Sequence, residues 1–181
     1  NRFDGDNTSK SQKRFVNDLL QEHRGKDLSI EDILPEYKEY RIVFRNIARS
    51  SDERTLIGSV IPKEVVCVHS LHTFSPYEID ISKEDLQEIP LHGVYERAYD
   101  DEELFVIVGL LNSIPFDFLM RTKIDTNVVK YKMLESQVPR LTKDDKWFEY
   151  ISTRAARLNC YGKDFEEMRD RLGGIEPATD I

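Results

Sequence analysis

The sequence predicts an α+β (mixed α/β) fold: a twisted, mainly antiparallel sheet packed on a buried helix, with a helical C-terminal part. Three observations carry this. Residues 41–61 hold two β-type runs separated by a polar turn. Residues 104–120 are apolar nearly all round, the mark of a helix enclosed by its own domain. Residues 143–172 return to helical spacing. The sheet around residues 40–70 is expected to pack on the helix of 101–121, with the part at about 142–172 against it.

Composition bounds the rest. The chain has 181 residues, 39% hydrophobic, 10% aromatic and 33% charged, with a net charge of −8. That suffices for a core and argues against wholesale disorder. The acidic balance excludes a generic DNA-coating surface, so cations must be sorted onto one face if a polyanion is the partner. Cys67 and Cys160, the two cysteines, are too far apart in sequence to suggest a disulfide framework and point to a reducing, cytoplasmic setting. The polar start, Asn1-Arg2-Phe3-Asp4, does not read as a secretory leader, and the absence of Met there suggests a piece of something longer. The longest apolar run, Leu104–Leu111, is too short to span a bilayer, so no membrane is expected as partner.

Residues 1–39 read as a polar, partly helical lead-in. Phe15, Val16, Leu19 and Leu20 give a short stripe, and Ile30, Ile33 and Leu34 one turn before Pro35. Residues 40–141 form the expected core unit. Arg41–Ala48 is the first strand, Ser50–Arg54 a turn and Thr55–Ile61 the second strand, ended by Pro62. Glu64–Ser70 is a third β-rich run, Leu71–Ile81 a loop, and Lys83–Ile89 an acidic stretch. Asp100-Asp-Glu-Glu103 opens the spine helix, with acids complementing the helix dipole. Pro115 should kink or split it. Val128, Val129, Tyr131 and Met133 favour an extended segment closed by Val138-Pro139. Residues 142–181 are helical, from Lys143 to Asn159 with Trp147, Ile151 and Leu158 inward. Trp147 and Tyr150 are read as core or interface residues, not as a base-stacking platform. Phe165, Met168 and Leu172 form a last stripe before the capping pair Gly173-Gly174.

The most informative stretch is Arg41-Ile-Val-Phe-Arg-Asn-Ile-Ala-Arg-Ser-Ser-Asp-Glu-Arg-Thr55. Alternation in a strand puts Arg41, Val43, Arg45, Ile47 and Arg49 on one face and Ile42, Phe44, Asn46 and Ala48 on the other. Successive guanidiniums four residues apart would stand about 13 Å from each other. Guanidinium suits bidentate recognition of phosphate, carboxylate or a guanine edge. The ordinary alternative is a solvated strand paired with local acids. Arg121, Lys123, Asn127, Lys130 and Lys132, after the spine, form a second basic element.

Other chemistries are weakly supported. Cys67, His69 and His72 cluster in sequence without zinc-ligand spacing. No nucleophile elbow and no phosphate-binding glycine loop is present. Asp32, Glu36 and Lys38 loosely match a Mg²⁺ nuclease pattern, in which acids hold the metal and a lysine assists water.

The segment Arg41–Ile57 resembles one common in single-chain restriction-modification enzymes and adenine-N6 DNA methyltransferases. Leu110-Leu-Asn-Ser-Ile-Pro-Phe-Asp-Phe-Leu-Met-Arg-Thr-Lys123 resembles the second hallmark of the same region. Asn127–Pro139 resembles the family's next segment, extended and ending in a proline, and Ile151–Cys160 the helical region after it. The resemblance covers roughly residues 40–160 and is to TaqI-like specificity domains; it extends to the recognition domains of type I specificity subunits. It implies a module that reads double-stranded DNA for a methyltransferase domain of the same parent chain. Asn-Pro-Pro-Tyr and the S-adenosylmethionine loop are missing here, so no methyl transfer and no cofactor is expected of this fragment. The parent would use S-adenosylmethionine, and Mg²⁺ if it also cuts DNA. The resemblance implies DNA contact or packing of the recognition lobe for Arg41, Arg45, Arg49, Ser50, Arg54 and Thr55, and for Arg121, Lys123, Asn127 and Lys130. A subunit-docking domain is the alternative of another class.

Overall fold

The structure, a computed structural model, describes residues 35–79 and 95–179. It is an α+β fold with small antiparallel sheets and five helices. Asp32 and the expected elements at 15–20, 26–34 and 83–89 lie outside the described residues.

The arginine run forms the central strand. β1 (Arg41–Arg45) pairs antiparallel with β2 (Gly58–Ile61) on one side and with β3 (Leu71–Thr73) on the other. Arg41 faces Ile61 and Phe44 faces Gly58; across the second ladder Val43 faces Thr73. A separate hairpin-like pair joins β4 (Tyr77–Ile79) to β5 (Tyr95–Arg97). The third strand is thus corrected from Glu64–Ser70 to Leu71–Thr73. Glu64 adopts a positive φ of 62°, which turns the chain after Pro62, and the Arg41 guanidinium donates to the Val65 carbonyl. Those two constraints hold 64–70 out of the ladder despite its β-rich composition, because strand propensity yields to context. The outer edge of β2 is covered by side-chain amides: Gly58 N–H donates to Asn112 Oδ1 at 3.0 Å and Val60 N–H to Asn159 Oδ1 at 3.1 Å. An edge so occupied cannot recruit another strand there.

The apolar spine forms two helices. α1 (Asp101–Leu111) starts at a capping box in which Glu103 N–H donates to Asp100 and Asp100 N–H to Glu103, both at 2.8 Å. Lys143 pairs with Asp100 and Glu102, adding an outside tie to the same helix start. α2 (Ile114–Lys123) is capped by Ser113 and carries Pro115 in its first turn; the two axes bend by 62°. The chain therefore splits where proline is tolerated. No single helix among the described residues is long and apolar enough to cross a membrane.

Residues 128–133 correct the expected extended segment. Only Asn127 makes a β-bridge, to Ile47. After Val129, α3 (Lys130–Leu134) forms, with Glu135 N–H bonded to the Tyr131 carbonyl at 2.9 Å. α4 (Lys146–Asn159) packs on α1, and α5 (Glu166–Arg171) follows a 3-10 turn at Lys163–Phe165. The inner face of α4 is Phe148, Ser152, Ala155 and Ala156, while Trp147 and Leu158 are exposed. Stripes of large and of small residues coexist on this helix. Of the expected inward residues Ile151 alone turns toward α1, half-buried over Gly109, where a Cβ would lie 2.7 Å from Ile151 Cγ2 and 3.4 Å from Ala155 Cβ.

Ile42, Phe44, Leu56, Leu104, Phe105, Val108, Met120, Phe165 and Met168 belong to one continuous core. The C-terminal part closes onto the start of β1, where Tyr40 stacks on Phe165 at 5.7 Å and donates to the Asp164 carbonyl.

Candidate nucleic-acid interface

Two of the segments singled out in the sequence meet at one buried carboxylate. Asp117, on α2, is 5% exposed. Its Oδ1 accepts the backbone N–H of Thr55 at 2.9 Å and of Leu56 at 2.8 Å. Arg54 approaches the same oxygen at 3.6 Å, and Arg121 donates to Oδ2 at 3.2 Å. Burial alone would raise this carboxyl. The Leu56 N–H, Arg121, Arg54 and the Thr55 N–H outweigh it and hold Asp117 below the usual carboxylate range. Arg121 also donates to the Glu53 carbonyl at 2.6 Å, and Arg54 to the Asn112 carbonyl at 2.7 Å. Asn112 closes the arrangement, its amide donating to the Gly58 carbonyl at 2.8 Å while its oxygen accepts from Gly58.

Arg45 works from the strand side. It donates to Asp52 at 3.2 Å and to the carbonyl of Arg54 at 2.5 Å, and Asp52 also accepts the Arg49 N–H at 3.0 Å. The loop 46–57 is therefore held along its return limb by guanidiniums from β1 and α2.

What the loop presents is a ridge. Ala48 N–H donates to the Thr126 carbonyl at 3.2 Å and Val128 N–H to the Asn46 carbonyl at 2.7 Å, flanking the Ile47–Asn127 bridge. Directly opposed residues of an antiparallel pair project their side chains to one face. Ile47, Arg49, Ser50 and Asn127 are all exposed. The backbone thus joins the arginine segment to the segment after the spine.

The ten sequence-predicted positions part company here. Arg49, Ser50 and Asn127 stand on the ridge, and Lys130 opens α3. Arg45, Arg54 and Arg121 are half-buried in the junction. Lys123 donates to Ser136 at 3.0 Å and to the Glu135 carbonyl at 3.2 Å. Arg41 and Thr55 are 0% exposed. For these two the expected DNA contact is corrected: burial leaves only packing, of the two roles considered. Nor do Arg41, Arg45 and Arg49 make a cationic row, since β1 ends at Arg45 and is covered on both faces. Alternation fixes which face a side chain takes, not what lies over it. Asp117 and Asn112 were missed as organising residues; an acid set between Phe116 and Phe118 in the otherwise apolar run 114–120 was the available signal.

Among the described residues the other candidates are not assembled. Of the nuclease pattern, Glu36 is 3% exposed and closed from solvent while Lys38 is exposed, and Asp32 lies outside the described residues. Among the described residues no group of three or more His, Cys, Asp or Glu side chains is placed to hold a metal ion. An open, mostly apolar groove of about 550 Å³ runs between α1 and residues 138–141, lined by Tyr99, Ile107, Leu110, Val138, Arg140 and Phe148 among others. None of the predicted site residues lines it. No protein-family model, no curated protein and no solved structure matches the chain.

Proposed function

We propose that this chain is the duplex-DNA recognition module of a larger restriction-modification adenine-N6 methyltransferase, placing the target for a separate catalytic domain. The observation that carries the reading is the junction itself. The two segments that resemble TaqI-like specificity domains, 41–57 and 110–123, pack on one another through Asp117 and Asn112. Segments that build a single structural device have a physical reason to occur together.

In this reading the junction positions and the ridge touches DNA. Arg49 grips phosphate or a guanine edge, and Asn127 has the donor–acceptor pair that suits adenine in the major groove. Ile47, 58% exposed, offers an apolar contact of the kind a thymine methyl takes. The methyltransferase domain, cytoplasmic like its DNA, supplies S-adenosylmethionine and the second wall of the clamp. It also supplies the phosphate attraction that a chain of net charge −8 lacks. The base is flipped and methylated there, not here.

The test joins this chain to its methyltransferase half and selects from a random-sequence duplex library. Enrichment of one short motif, lost or relaxed on Arg49→Ala or Asn127→Ala, supports the reading. Tight association of the two halves without any selection supports the second reading, a subunit-docking domain. Ile114 and Phe118, 78% and 69% exposed one turn apart on α2, favour that alternative.

A further inference from the structure

We infer that the outer face of α4 is a docking site for an acidic amphipathic helix of a protein partner. Trp147, Tyr150, Arg154 and Leu158 recur every three or four residues and share one stripe. Trp147 is 50%, Tyr150 48% and Leu158 55% exposed, on a helix whose opposite face is already buried against α1. Three bulky side chains aligned in water are a surface waiting for cover.

The stripe is also preorganised. Trp147 meets Tyr150 edge-on at 5.6 Å, Lys146 sits 5.0 Å over the Trp147 ring, and the Arg154 guanidinium lies 3.4 Å over Tyr150. Arg154 also donates to the Tyr150 carbonyl at 3.3 Å. Aromatic and arginine side chains held in place before binding are those that dominate protein interfaces.

Charge selects the occupant. Lys146 and Arg157, three turns apart, flank the stripe on one side, and Arg154 lies within it. Glu149, the one acid inside α4, falls toward the far side of the helix. A second copy would bring cations against cations. Arg154 covers one face of the Tyr150 ring and Lys146 one face of Trp147, which narrows the room for base stacking. A helix with leucines in its seam and carboxylates along its flanks matches both the apolar stripe and its charge. This inference is independent of the DNA reading.

Trp147 is the only tryptophan of the chain, so its fluorescence reports the site directly. The probes are two synthetic peptides of about four heptads, leucine at the seam positions, one flanked by glutamate and one by lysine. A saturable blue shift is expected with the glutamate peptide alone, weakened at least about tenfold by Arg154→Glu and by Leu158→Glu. Circular dichroism unchanged in both exposed-site variants separates lost docking from lost folding. The inference is overturned by no saturable response to the glutamate peptide or by an equal response to the lysine peptide. A saturable response to a DNA duplex or single strand in its place, or dimerisation of the chain through this face in sedimentation, overturns it equally.

Discussion

The junction at Asp117 and the ridge at Ile47–Asn127 are made from the same loop and use the same kinds of side chain, yet they differ in what surrounds them. In the junction, Arg45, Arg54 and Arg121 turn inward onto Asp52, Asp117 and backbone carbonyls. On the ridge, Arg49 and Asn127 stand in solvent. A guanidinium beside a buried carboxylate and backbone carbonyls is part of the scaffold; the Arg49 guanidinium, on the same loop, stands in solvent. The lesson is that cation count says little about binding until each cation's internal partner is known.

Removing Asp117 should separate the two regions most sharply. Asp117→Ala strips a carboxylate from two backbone N–H groups and two guanidiniums, and is expected to cost roughly 3–5 kcal/mol in urea unfolding. The ridge would be lost with it, as increased amide exchange over 46–53. A Tm unchanged by this variant would mean that the junction does not hold the loop.

Gly109→Ala is next, at about 1–3 kcal/mol, because the new Cβ would sit 2.7 Å from Ile151 and push α4 off α1. It tests the scaffold without touching a charge, and thermal melting reads it. Equal stability of wild type and variant would show that the helices can separate without penalty.

Acid should weaken the junction, and with it the ridge. The Asp117 carboxyl is depressed in the folded state, so its contribution is fully present above the ordinary carboxylate pKa of about 4 and fades as pH falls through the lower folded value. Tm is therefore expected to drop below about pH 4, and Asp117→Asn should flatten that part of the profile. A wild-type profile identical to that of Asp117→Asn would remove the carboxylate from the account.

The smallest effect on stability belongs to the ridge. Arg49→Ala and Asn127→Ala should each stay within about 0.5 kcal/mol of wild type while weakening sequence selection by the joined enzyme. A large loss of stability in either would move that residue into the scaffold.

Much of the fold was legible in advance. β1, the acidic start of α1, the break near Pro115 and the helix of 146–159 follow from local chemistry that neighbours did not overrule. The misreadings share one cause. At 64–70 a positive φ and a buried arginine overrode β composition, and at 130–134 helix replaced an extended segment of β-favouring residues. On α4 the neighbouring helix took Phe148, Ser152, Ala155, Ala156 and part of Ile151, and left Trp147 and Leu158 outside. For the candidate site, the sequence singled out two segments that the fold brings together, but could not sort Arg41, sealed in the core, from Arg49, in water.

The amino-acid order alone determined the fold class, the arginine-bearing hairpin and the caps of the spine, because these depend on residues a few positions apart. Tertiary structure alone decided which cations became scaffold, that Asp117 and Asn112 organise the loop, and that residues 47 and 127 lie side by side. Burial and ion pairing are properties of groups brought together from distant parts of the chain, and periodicity carries no information about what arrives on the other side.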